Sequence, residues 1–196
     1  MKRDTLWNSN SRAQLEFIVD NETVAGLANL EVSVTNDFYR PIVDRIRAGM
    51  KVIYGDTFDF KGGFLWPVDW RPREFNKPPD ALCNTAMNES KSICLEPDWD
   101  ELVQKISNGA CLQIHCDGGY RNTEGIGGAA FVVHLVDPDT SILYRIAYEV
   151  QYLQIVTSSF QAECIALEMA VSFVLAISSR GARGLVAKRR RVLFVH

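Results

Sequence analysis

The chain has 196 residues, 47% apolar and 23% charged, with a formal net charge of -3. That length can bury one core of ordinary size or two very small ones, and the composition excludes a disordered or fibrous chain. The small negative charge also excludes a generally sticky nucleic-acid coat, so any contact with phosphates has to be local.

The N-terminus, Met1-Lys2-Arg3-Asp4-Thr5, is charged and no apolar stretch of signal-peptide length follows it, which predicts an intracellular protein, cytoplasmic or nuclear. Leu15, Phe17 and Val19 alternate with Glu16, Ile18 and Asp20, and this period of two predicts a strand ending at Asp20. Asn21 then caps a helix through about Leu30, since Val24, Leu27 and Ala28 share a stripe. A second helix runs from Arg40 or Pro41 to Met50, with a proline at its start and Ile42, Val43 and Ile46 on one face. The pair Gly62-Gly63 breaks the chain before a strand over Phe64 to Trp70. Pro78-Pro79 stops that extended segment, and Asp80 opens a helix through about Met87.

From Asn88 to Gly109 the composition shifts to Ser, Lys, Glu, Pro and Asp. Residues 90–109 therefore read as a linker, with Trp99, Leu102, Val103 and Ile106 able to form one short amphipathic helix. Three strands with short connections follow, Cys111 to Asp117, Gly128 to Val136 and Ser141 to Gln151, the last two joined at Asp137-Pro138-Asp139; they imply an antiparallel meander. Ser158-x-x-Gln161 is a capping-box pattern opening a helix through Ile177, whose buried face is marked by Phe160, Cys164, Leu167, Val171 and Val174. The apolar run Ala166 to Ile177 is broken by Glu168 and Ser172, so no membrane span is predicted. Residues 179–196 read as a basic tail: Lys188-Arg189-Arg190-Arg191 is a solvated run, and Arg191 to His196 is a strand-like stub similar to Leu15 to Asp20. Cys83, Cys94, Cys111, Cys116 and Cys164 are odd in number and hold no Cys-x-x-Cys pair, which favours reduced thiols over a disulfide scaffold or a zinc site.

Four acids stand out from this background. Hydrolysis of a phosphodiester with two divalent ions needs several carboxylates converging on one point, because hard cations take oxygen ligands. Asp117 at a strand end and Glu163 on a helix suit such a cluster. Glu163 is the odder of the two, since Phe160 and Leu167 one turn away place its charge against the core, where charges are rare unless paired or metal-bound. Each acid also has a plain structural reading. Asp117 before Gly118-Gly119 reads as a turn residue, Glu163 as one half of a salt bridge, and Asp20 and Asp80 as caps of the helices beside them. His115 shares a strand face with Asp117 and reads as a packing residue. The tryptophans Trp7, Trp66, Trp70 and Trp99 are able to stack on bases but more commonly fill cores and grooves.

The ordered set says more than its members. Reading 110–178 before 13–89 gives strand, glycine turn, strand, strand, helix with Glu163, strand ending at Asp20, helix, strand and a helix beginning with Asp80. Three segments are the most specific: Asp117-Gly118-Gly119 with Gly125-x-Gly127-Gly128-Ala129-Ala130; Ala162-Glu163-x-x-Ala166-Leu167; and Pro72-Arg73-Glu74-Phe75-Asn76-x-x-x-Asp80-Ala81-Leu82. This arrangement resembles the type 1 ribonuclease H family, particularly its divergent retroelement and plant-like branches, with residues 13–89 as the second half of the domain and 110–178 as the first.

The resemblance implies an α/β fold with a mixed five-stranded sheet flanked by helices, circularly permuted or cut from a tandem array. It also implies a metal-dependent endonuclease that cuts the RNA strand of RNA/DNA hybrids. Asp117, Glu163, Asp20 and Asp80 would be its catalytic, metal-binding carboxylates. Two Mg2+ ions, with Mn2+ as a substitute, would activate a water and stabilise the 3′ leaving oxygen, with no small-molecule cofactor. Gly118, Asn122, Arg73 and Asn76 would contact the nucleic acid, and a tandem ribonuclease H-like or reverse transcriptase domain would be a partner. The chain departs from the pattern at Trp70, where many members carry a histidine, and at Pro79, where a small residue is usual. The first departure implies a slower enzyme. An inactive nucleic-acid-binding module and a retroelement-derived remnant are the rival readings.

Overall fold

The structure is a computed structural model that describes residues 15–55, 68–137 and 140–192, with side chains described as far as Gly181. The predicted first strand is present as β1 (Leu15–Val19), and Asn21 caps α1 (Glu22–Ala28) by accepting the Val24 amide on its side-chain oxygen at 3.2 Å. Helix α2 spans Arg40–Tyr54, with Pro41 in the first turn, where the missing amide hydrogen costs nothing. Strand β2 (Val68–Trp70) contains the described part of the predicted Phe64–Trp70 strand; Gly62-Gly63 and Trp66 lie outside the described residues, as does Trp7.

A 3-10 turn over Arg73–Phe75 leads into α3 (Lys77–Glu89). The helix therefore begins before Asp80, contrary to the expectation that Pro78-Pro79 would delay it. The first turn of a helix has amide hydrogens with no internal partner, so prolines are tolerated there, and Asp80 is a first-turn residue instead of a cap.

Residues 90–109, read as a linker with one short helix, contain that helix and a strand. They form β3 (Ile93–Leu95), which pairs antiparallel with residues 148–150, and α4 (Trp99–Ser107), whose cap Asp98 accepts the amides of Asp100 and Glu101 at 3.1 Å. Trp99 packs on Phe173 with ring centroids 5.2 Å apart, and the Arg180 guanidinium lies over its ring at 4.3 Å. Three long strands, β4 (Cys111–Arg121), β5 (Ile126–Val136) and β6 (Leu143–Leu153), form the predicted meander; Pro138 and Asp139 of its second turn lie outside the described residues. The final helix, α5 (Ser159–Val192), runs past its expected end at Ile177, so the chain from 179 to 192 is helical. Of the expected strand-like stub, Arg191 and Val192 belong to this helix and 193–196 lie outside the described residues.

The sheet has six strands in the order β2-β1-β4-β5-β6-β3, one more than expected because β3 comes from the supposed linker. Strands β2, β1 and β4 run parallel, and β4 through β6 and β3 alternate antiparallel. The protein is thus an α/β fold with a mixed sheet flanked by helices. Segments 13–89 and 110–178 share this one sheet, because β1 pairs with β4 from Leu15 opposite Leu112 to Val19 opposite Cys116. The outer edge strand β2 is held by Asn29, whose side chain donates to Val68 O at 2.8 Å and accepts from Val68 N at 3.1 Å.

One sheet face, lined by Phe17, Val19, Leu112, Ile114, Cys116, Phe131 and Val133, packs against α1, α2, α4 and α5 and forms the main core. The other face is covered at one end by α3 through Cys83 and Ala86 against Ala130 and Val150. By length and composition alone, Ser159–Gly181 is apolar enough to cross a membrane. Its apolar side, including Ala166, Leu167, Ala170, Val174 and Ile177, is spent on this core.

Candidate metal centre

The pairing of β1 with β4 decides the site. Because Val19 stands opposite Cys116, the next residues outward are Asp20 and Asp117, brought side by side from positions 97 apart in sequence. Asp20 leaves the carboxyl end of β1, while Asp117 sits in the middle of the longer β4. Glu163 comes from the first turns of α5, which Ser158 caps by accepting the Gln161 amide at 3.1 Å. The Gln161 side chain does not close the expected reciprocal box; its oxygen instead accepts from the amide and hydroxyl of Thr157, both at 2.9 Å.

Gly118 allows α5 to come this close. A Cβ added there would lie 2.1 Å from the Glu163 nitrogen and 2.3 Å from the Ala162 carbonyl carbon, inside backbone atoms that cannot rotate away. The sequence suggests Gly118 as a nucleic-acid contact; the structure buries it between β4 and α5. The polar backbone of Gly118, beside both the Asp117 and Glu163 carboxylates, partly offsets the effect of their burial.

One oxygen from each of Asp20, Asp117 and Glu163 falls within 4.8 Å of the others. Asp117 and Glu163 are 3% and 7% exposed, and Asp20 Oδ1, Asp117 Oδ2 and Glu163 Oε2 are buried with no hydrogen-bond partner among the described residues. Three carboxylates this close, with no Lys or Arg bonded to them among the described residues, repel one another unless they are protonated or share a cation. In the metal-free protein, burial above all and then its acidic neighbours raise Asp117 from 3.8 to about 7, and the same causes raise Glu163 from 4.5 to about 9. The orphaned oxygens and the hard, all-oxygen donor set fit a divalent cation of the Mg2+ or Mn2+ type.

Asp80, expected in the same cluster, stands beside it. Its Oδ1 is bound by Arg73, and its Oδ2 accepts from Asn84 at 3.4 Å. It is still close enough to raise the Asp117 pKa.

Of the other expected contacts, Asn122 is exposed at the tip of the β4–β5 hairpin, where the Tyr120 hydroxyl donates to it at 3.1 Å. Asn76 is turned inward: it is fully buried, and its amide donates to Cys116 O at 2.6 Å, bracing the start of α3 against β4 one residue before Asp117. That leaves no side-chain surface for a nucleic-acid contact. Cys83 adds a second brace, its thiol donating to Asp117 O at 3.2 Å. Its role was not visible in the sequence, where cysteines were read only by number and spacing.

Trp70, at the end of β2, is 46% exposed and fixed beside the cluster by its indole N–H, which donates to Asp20 O at 3.2 Å. His115 is not part of the cluster. It packs edge-to-face on His134 with centroids 5.2 Å apart, and burial together with His134 and Arg71 lowers its pKa to about 4, so it is neutral near pH 7.

No protein-family model matches this chain, and no curated protein and no solved structure matches it.

Proposed function

We propose that this protein is a metal-dependent endonuclease of ribonuclease H type, acting on the RNA strand of RNA/DNA hybrids. The observation that carries the reading is the convergence of Asp20, Asp117 and Glu163, from β1, β4 and α5, with three buried oxygens that have no partner. The resemblance requires the strand ending at Asp20 to dock beside the strand carrying Asp117, and these two strands are neighbours. With β1 and β4 joined in this way, circular permutation within one domain is the better account of the reversed order than a cut through a tandem array.

Asp20, Asp117 and Glu163 would hold the ion, which when bound supplies Lewis-acid activation of water and charge stabilisation at the leaving oxygen. The chain's own part is to aim these carboxylates. Burial excludes water from the inner side of the cluster, Gly118 and Asn76 fix the backbone beneath it, and Trp70 closes one side with an exposed indole. Arg73, whose side chain is 72% exposed, and Asn122 are exposed polar groups that a phosphate backbone could reach. The net charge of -3 makes these local contacts more important than any general attraction.

The purified chain is expected to cut an end-labelled RNA/DNA hybrid in Mg2+, and Asp117→Asn to lower the rate by at least about a thousandfold, the scale on which metal and oxyanion stabilisation contribute. A folded wild-type protein that leaves the hybrid intact at stoichiometric concentration contradicts the activity. One observation favours a second reading, an inactive module that keeps the fold for binding: Trp70 stands where many members of the resembled family carry a histidine. Hybrid binding without cleavage, unchanged on removal of Mg2+, selects that reading.

A further inference from the structure

The four acids divide into three and one. Asp20, Asp117 and Glu163 each keep a buried oxygen with no partner, whereas both oxygens of Asp80 are engaged, one by Arg73 and the other by Asn84. Asp80 lies in the first turn of α3, with its side chain 28% exposed, and Arg73 lies in the 3-10 turn before it, 72% exposed. The Arg73 guanidinium faces more than its partner, since the charges of Asp117 and Asp20 act on it as well. Arg73 therefore stands as a fixed monovalent cation on the outer side of a carboxylate cluster whose inner side fits a divalent one.

We infer that Arg73 is a positioning residue that keeps Asp80 out of the metal centre until a nucleic-acid phosphate draws the guanidinium away. The inference rests on the metal-site reading above. In the free protein the three unpartnered carboxylates take one divalent ion, and a second ion that needs Asp80 has to compete with Arg73 for the same oxygens. A guanidinium binds carboxylate and phosphate through the same planar fork of N–H donors, so a substrate phosphate is a matched alternative partner. The Arg73 side of the ion pair is largely exposed, which keeps the pair weak enough for the exchange to run in either direction. Substrate binding and completion of the metal site then become one event, and the free enzyme is spared a fully loaded centre.

The test is to titrate Mn2+ into the chain without nucleic acid, counting bound ions by calorimetry and by electron paramagnetic resonance. Four proteins are compared: wild type, Arg73→Ala, Arg73→Lys and Arg73→Ala/Asp80→Asn. Thermal unfolding confirms that each is folded. The wild type is expected to bind one ion well and a second weakly. Arg73→Ala is expected to tighten the second by up to about fivefold, the upper end of what an exposed ion pair contributes. Arg73→Lys is expected to restore the weak second event, and the double variant to lose the gain.

A second event unchanged in Arg73→Ala overturns the inference. So does a gain that survives in the double variant, because it would then come from general charge instead of from Asp80. Two ions bound equally well by the wild type overturn it also, leaving the metal centre standing. No ion bound by any folded protein overturns the metal-site reading itself, and the inference falls with it.

Discussion

Gly118→Ala is expected to destabilise the protein by about 3 kcal/mol and to abolish metal binding together with activity. The added methyl would meet the backbone of Ala162 and Glu163 at 2.1 to 2.6 Å, so relief requires α5 to move off β4. That movement opens the main core along α5 and also withdraws Glu163 from Asp117 and Asp20, so stability and site fail together. Gly125→Ala is the control. Gly125 has a left-handed φ of +67° with nothing within 4 Å of an added Cβ, so the change costs only the local strain of that conformation, about 1 kcal/mol. Urea unfolding of the two variants measures the difference. A Gly118→Ala protein as stable as Gly125→Ala would show that the close approach of α5 does not govern the site.

The second large effect concerns pH. Asp117 and Glu163 hold their protons more tightly in the folded metal-free protein, at about 7 and about 9, than at their ordinary values of 3.8 and 4.5. A group with a raised folded value contributes stability that is complete below its unfolded value and is lost as pH rises through the folded value. The metal-free protein is therefore expected to lose stability steadily between about pH 4 and pH 9. The displacement of Asp117 alone corresponds to roughly 4 kcal/mol. His115 works in the opposite direction, since its lowered value of about 4 gives stability that is lost as pH falls below its ordinary 6.5. Stability without metal should therefore be greatest under mildly acidic conditions.

Mg2+ binds the ionised carboxylates and is expected to restore stability at pH 8 while doing little at pH 5. Asp117→Asn removes one charge from the repelling set. It is expected to be more stable than wild type at pH 8 without metal, by about 2 kcal/mol or more, and to lose the response to Mg2+. Denaturant unfolding across pH, with and without Mg2+, checks both statements. An Asp117→Asn protein less stable than wild type at pH 8 would show that the cluster is neutralised in another way.

Much of this site was legible in the sequence because it lies where regular patterns are interrupted. Asp20 ends an alternating strand, Asp117 precedes a glycine pair and Glu163 interrupts an apolar helix stripe; these are departures that a periodic reading detects. The family resemblance, with the two segments taken in reversed order, required β1 to meet β4, and these two strands are paired. Other features leave no local trace. Strand β3 has three residues, too few for a period, and exists because β6 offers an unpaired edge. Helix α5 continues through a buried Gly181, where the helix as a whole outweighs one glycine's conformational cost of about 1 kcal/mol.

Gly118 and Asn76 were read as ligand contacts; that Gly118 lies against α5 and that Asn76 is buried and bonded to Cys116 O depend on which backbone lies next to them, which the local sequence does not show. The separation of Asp80 from the other acids depends on its ion pair with Arg73. The two residues are near each other in the chain, but only the turn before α3 points the guanidinium at the carboxylate.

The claim beneath all of these expectations is that Asp20, Asp117 and Glu163 hold a divalent cation. Crystals grown without nucleic acid and soaked in Mn2+ test it most directly through the anomalous signal of the metal. The account predicts one strong peak bonded to an oxygen of each of the three residues at about 2.1 Å, the length expected for a hard cation of this size. Crystals that diffract well but show no peak there, or an ion bound only by Asp80 and surface groups, would contradict it.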